Sequence, residues 1–169
     1  MAEVKALQDL FVNELRDVYD AEKQIVKALP RVIRATASDD LKEALEHHLD
    51  ETRGQVERLE QVFERLDLRP KGKHCTGMEG ILEEGKELIE EGSKGDVLDA
   101  GLIAAAQRVE HYEMAAYGTL AAWARQLGHQ TVVSLLEKNL EEEKAADKKL
   151  TALAEAEMNP AAVKSQRRH

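Results

Sequence analysis

The stretch Gln107-Arg108-Val109-Glu110-His111-Tyr112-Glu113-Met114-Ala115-Ala116-Tyr117 decides how this chain is read. It lies in a helical run whose apolar stripe passes through Ile103 and Ala106, then Glu110 and Glu113, then Tyr117, Leu120, Ala124 and Leu127. Residues three or four apart on a helix share a face, so two carboxylates stand where apolar side chains belong. A carboxylate facing a core is costly unless it is paired, protonated or bound to a metal. Two of them, one turn apart, call for a cation.

The other long segments carry the same interruption. From Glu3 to about Ala35, apolar residues from Leu7 and Phe11 to Leu29 and Ile33 recur every three or four positions, predicting helix A, broken once at Glu22. Pro30 has no backbone donor and predicts a kink or an early end there. Ser38 or Asp39 caps helix B, which runs to about Leu68 and passes through His48, Glu51 and Gln55 at its middle. Helix C spans about Asp96 to Leu127. Helix D, from about Gln130 to Glu157, has Glu143 and Asp147 in its stripe and is expected to stop at Asn159-Pro160.

The connections set the topology. Thr36 to Asp40 is a short turn between A and B, and Gly128-His129 is a tight one between C and D, with Gly128 suited to a left-handed C-cap. Between B and C lie the linker Arg69 to His74 and a short amphipathic helix within Gly77 to Gly92. That connection is long enough to run the length of a bundle, so A–B and C–D read as antiparallel hairpins with B and C parallel. The fold class is all-α, a four-helix bundle of ferritin-like topology with a long crossover. Residues 1–158 read as the bundle and 159–169 as a flexible C-terminal tail.

A helical rise of ~1.5 Å per residue tests whether the interruptions meet. Glu22 lies 16 residues before Ser38 and Glu51 lies 13 after it; Glu110 lies 18 before Gly128 and Glu143 lies 15 after. Each hairpin therefore brings its carboxylates to within a turn of one level. The predicted constellation is Glu22, His48, Glu51, Glu110, Glu113, Glu143 and Asp147. So many carboxylates would repel or stay protonated without cations. An oxygen-rich set with an imidazole suits iron, with manganese as the alternative, and carboxylate bridges can hold two ions together.

Composition agrees. Charged residues make up 34% and aromatics 4%, with three prolines, which favours helices over a sandwich or barrel. A net charge of -9 argues against nucleic acid as a partner. The single cysteine excludes an intrachain disulfide. No stretch reads as a signal peptide or a membrane span, so a soluble cytoplasmic protein is expected.

One Glu on A, an acidic pair with His on B, Glu110-x-x-Glu113 on C and an acidic pair on D resemble the di-iron carboxylate proteins, with the Glu-x-x-Glu most like rubrerythrin. The whole sequence is closer still to the YciF-type ferritin-like stress proteins. Asp17-Val18-Tyr19-Asp20-Ala21-Glu22-Lys23-Gln24, His48-Leu49-Asp50-Glu51-Thr52, Val109 to Glu113, Tyr117-Gly118-Thr119-Leu120 and Leu140-Glu141-Glu142-Glu143-Lys144 carry that resemblance. It implies a ferritin-like domain, a homodimer and a link with stress responses. Two positions depart from the general di-iron pattern. Residue 54 is Gly where Glu51-x-x-His is expected, leaving His48 to supply nitrogen, and residue 146 is Ala, leaving Asp147 in place of a second histidine.

On the oxidoreductase reading, Glu51 and Glu143 bridge or cap two metals, the other carboxylates are terminal ligands, and peroxide or dioxygen is the oxidant. The alternative is a non-catalytic bundle that serves self-association or partner binding, its metal structural or absent. His47 is expected in solvent, His111 toward solvent or beside a ligand, Tyr112 and Tyr117 in the core, and Cys75 as a packed thiol.

Overall fold

The computed structural model describes residues 5–166. Helices α1 (Leu7–Ala35), α2 (Asp39–Arg65), α3 (Thr76–Glu91), α4 (Asp96–Gln126) and α5 (Gln130–Leu153) follow in order. A π-helical turn, Ala154–Met158, then leads into α6 (Asn159–Gln166). The described residues contain no strand, and none of their helices is long and apolar enough to cross a membrane.

Local chemistry sets the helix ends. The Ser38 hydroxyl accepts from the Leu41 amide at 3.3 Å, capping α2, and Gly128 closes α4 with φ 78°, a conformation glycine adopts without strain. Pro30 lies inside α1, which continues to Ala35. One lost hydrogen bond is outweighed there by burial of Ile25 and Leu29 on the same stripe.

The expected stop at Asn159-Pro160 is corrected. Helical structure continues through Gln166, because the widened π turn just before Pro160 makes room for a ring that would otherwise strike the carbonyl four residues back. Residues 159–166 are therefore helix rather than loose tail, with Ser165 donating to Asp96 at the start of α4 at 2.5 Å. The expected start of helix A at Glu3 and the last residues of the tail, 167–169, lie outside the described residues.

The helix directions follow from contacts at the two ends. Asp99, near the start of α4, accepts from the Ala37 and Ser38 amides in the α1–α2 turn, at 2.9 and 2.7 Å. At the far end His129, after α4, meets Gln8 at the start of α1 at 2.7 Å, and Arg65, ending α2, donates to the Thr131 carbonyl at the start of α5. Hence α2 and α4 run parallel, and α1–α2 and α4–α5 are antiparallel pairs: the ferritin-like bundle. The crossover helix α3 packs on α1 and α4, with only Met78 buried along its length.

Apolar residues fill the bundle in two clusters. One, toward the α4–α5 turn, includes Phe11, Leu15, Phe63, Tyr117, Leu120 and Leu136; the other, toward the α1–α2 turn, includes Ile25, Leu29, Leu41, Leu45, Ile103 and Leu150. The polar layer between them is the candidate site.

Candidate metal centre

Each bundle helix contributes to this layer because its apolar stripe is interrupted at the same height. From α2, α4 and α5, the donor atoms of His48, Glu110, Glu113 and Glu143 all lie within 4.8 Å of one another, with every residue buried. The His48 Nε2 is 3.2 Å from a Glu110 oxygen. Glu22 of α1 is fully buried, and one of its oxygens accepts from the Tyr117 hydroxyl.

The electrostatics are those of a site short of positive charge. Burial, and then the neighbouring carboxylates, push Glu110 and Glu113 well above the usual carboxylate range. Glu22 is pushed up to about 8, chiefly by burial, with Glu143 adding to the rise and the adjacent Glu113 carboxyl and Tyr117 hydroxyl opposing it. Burial lowers the His48 imidazole against the pull of Glu143 and so favours its neutral form, the one that binds metals.

The remaining predicted residues sit at the rim. Glu51 is 23% exposed and pairs with His47 at 3.3 Å; burial raises its pKa. Asp147 is 22% exposed, and one oxygen meets both Gln107 and His111 at 3.1 Å. The structure thus brings five of the seven residues to the centre and holds Glu51 and Asp147 beside it.

A polar brace next to the site was not singled out from sequence. Arg58 grips Glu142 with two hydrogen bonds, at 2.7 and 2.5 Å, and also donates to Asn139, while the Gln55 amide reaches Glu142 at 3.2 Å. The brace ties α2 to α5. Arg58 stands where a longer side chain at position 54 would go, 3.5 Å from a Cβ placed on Gly54. Its signal was present: Arg58 lies seven residues after Glu51, and Asn139 four before Glu143, on the same stripes. Asp99 was missed because a carboxylate in a first helical turn reads as an ordinary dipole partner.

The donor set fits a metal. Among the described residues, both oxygens of Glu113 and of Glu143, one oxygen each of Glu22 and Glu110, and both ring nitrogens of His48 are buried with no hydrogen-bond partner. Buried polar atoms are nearly always satisfied, and so many orphans in one place mark a ligand's seat. Hard oxygens with one imidazole suit divalent iron or manganese.

The family model described as a domain of unknown function, DUF892, matches residues 6–163. The chain belongs to that family. It is 51% identical over 152 residues to Protein YciF of Escherichia coli strain K12, covering 89% of this chain and 92% of the relative, which bears out the YciF-type resemblance. The solved structure described as the E. coli stress protein YciF superposes with a TM-score of 0.86 over 89% of this chain and 96% of that one. YcfI of Rhodopseudomonas palustris, described as a candidate structural protein, has the same TM-score and coverage at 48% identity. A protein from Xanthomonas campestris, at 23% identity and a TM-score of 0.73 over 95% of this chain and 98% of its own, shares the fold.

Proposed function

We propose that this protein holds two iron or manganese ions in the mid-bundle layer and that this centre reacts with peroxide or dioxygen, in the stress setting named for E. coli YciF. The observation that carries this reading is the set of buried, unpartnered oxygen and nitrogen atoms at one level of the bundle. One octahedral ion takes six donors, whereas His48, Glu22, Glu110, Glu113 and Glu143, with Glu51 and Asp147 at the rim, offer more.

Bound there, such ions would supply redox chemistry toward a small oxidant. The chain's own residues prepare the place. His48 offers neutral nitrogen, Tyr117 fixes the orientation of Glu22, the Arg58–Glu142 brace holds α2 against α5, and the apolar cluster toward the α4–α5 turn closes that side of the layer to water. Protons held by Glu22, Glu110 and Glu113 in the metal-free protein leave when cations enter.

The test is elemental analysis of protein purified without an affinity tag, beside a Glu110→Ala/Glu143→Ala double variant. About two ions per chain, lost in the variant, are expected. Metal absent from both proteins, with the variant equally or more stable, would sink the reading. The bundle would then be the non-catalytic scaffold suggested by the description of the R. palustris relative. We also propose a homodimer. Val97 and Val163, at 61% and 52% exposure, lie on segments joined by the Ser165–Asp96 hydrogen bond and are the exposed apolar side chains that a second copy would cover. Sedimentation of the wild type and of Val97→Asp checks it.

A further inference from the structure

Between α1, α3 and α4 lies a cavity of about 550 Å³. Ile25 and Leu29 of α1, Leu45 of α2, Ile81 of α3, and Leu102 and Val109 of α4 line it, so its wall is mainly aliphatic. Its inner end is formed by His48 and Glu110, two members of the buried cluster, while Lys27, Arg31 and Lys86 stand at its edge. Arg31 and Lys86 are held by Glu90 and Glu83, so most of the rim's charge is already answered and the interior sets the preference.

From these observations we infer that the cavity is a binding site for a small, neutral, largely apolar organic molecule, which it presents to the His48–Glu110 side of the centre. Three features carry this. The volume falls in the range of small-molecule pockets, and a mainly apolar wall runs between the buried His48–Glu110 end and a charged rim that also includes His74, Glu79 and Glu83. Ile81 and Leu82 of α3 pack against the apolar cluster and still leave this space open along their face. Apolar side chains left facing open space forgo the gain of burial, which an apolar occupant would restore. Lastly, a pocket unrelated to the site would not need two of its buried polar residues as a wall.

That the molecule meets a metal rests on the proposed function; that it binds does not. The probe is naphthalene, neutral and small enough for the space, followed by its fluorescence with metal-free, zinc-loaded and cobalt-loaded protein. Ala106→Phe and Ala28→Phe fill the cavity from α4 and α1 while leaving His48 and Glu110 in place, and circular dichroism verifies that both fold. Saturable binding to metal-free wild type is expected, weakened about tenfold or more in both variants. Bound naphthalene should be quenched by cobalt and not by zinc.

No saturable binding, or undiminished binding to both folded variants, overturns the inference. Equal emission from the cobalt and zinc forms overturns the contact with the centre. A chain that takes up neither metal yet binds naphthalene keeps the cavity and removes the metal reading, so the two failures are distinct.

Discussion

Toward the α4–α5 turn the bundle interior is filled. Phe11, Phe63, Tyr117 and Leu136 are completely buried there, and Phe63 meets Tyr19 edge to face with ring centroids 5.4 Å apart. On the other side of the acidic layer, Ile25, Leu29 and Leu45 are also shielded from bulk solvent, yet they border a cavity. The same apolar stripes therefore produce a dense half and a slack half, and α3 packs on α1 and α4 along the slack one. The filled half backs the layer on one side, and on the other the cavity reaches His48 and Glu110.

The largest expected effect breaks the dense half. Phe63→Ala should cost about 3–5 kcal/mol in urea unfolding, whereas Ile81→Ala on the half-buried face of α3 should cost about 1 kcal/mol or less. Similar losses from both would erase the contrast.

The layer between the halves gives the second test, on metal-free protein. Glu22 rises from its ordinary 4.5 to about 8 on folding. A carboxyl raised in this way lets the folded state hold a proton that the unfolded chain releases. Its stabilising contribution is complete below pH 4.5 and is lost as pH rises toward about 8. Glu110 and Glu113 shift in the same direction. The thermal midpoint of the metal-free protein should accordingly fall between these pH limits. Glu113→Gln, which needs no proton to stay neutral, should flatten this fall, recovering stability at the upper limit and none at the lower. A midpoint that climbs with pH would contradict this.

The smallest effect sharpens the comparison by adding bulk. Ala124 is fully buried in the dense half, and Ala124→Leu should cost about 1–2 kcal/mol by overpacking. Ala106→Leu projects into open space and should leave the unfolding midpoint nearly unchanged. Equal penalties would show that the cavity closes in solution.

Much of this was legible in the chain. Ser38 caps where its hydroxyl predicts, Gly128 takes the left-handed turn, and the crossover's length forces α2 and α4 parallel. The five central site residues were legible because a polar residue in an apolar stripe reports its own height. Glu51 and Asp147 belong to the same stripes, but periodicity cannot resolve a side chain at the seam between two helices. There, neighbours such as His47, His111 and Gln107 decide where it turns. Pro160 misled because its cost was judged against an α-helix, and the preceding turn is not one. The cavity had no signal at all: a stripe tells which residues face inward, not whether the space they face is filled.

The crossover is fastened at both ends. At the first, Cys75 caps α3 and its thiol lies 3.0 Å from the Tyr112 hydroxyl, which donates to Asp17 at 2.7 Å; a Cβ on Gly77 would come within 3.0 Å of the same ring. At the other, Leu88 lies so close to α4 that a Cβ on Gly101 would approach it to 2.8 Å. A strap buckled at two points behaves differently from a hinged flap. The width of the gap beneath it is then set by two fixed points, so any molecule that the cavity admits would have to match a spacing settled when the protein folds.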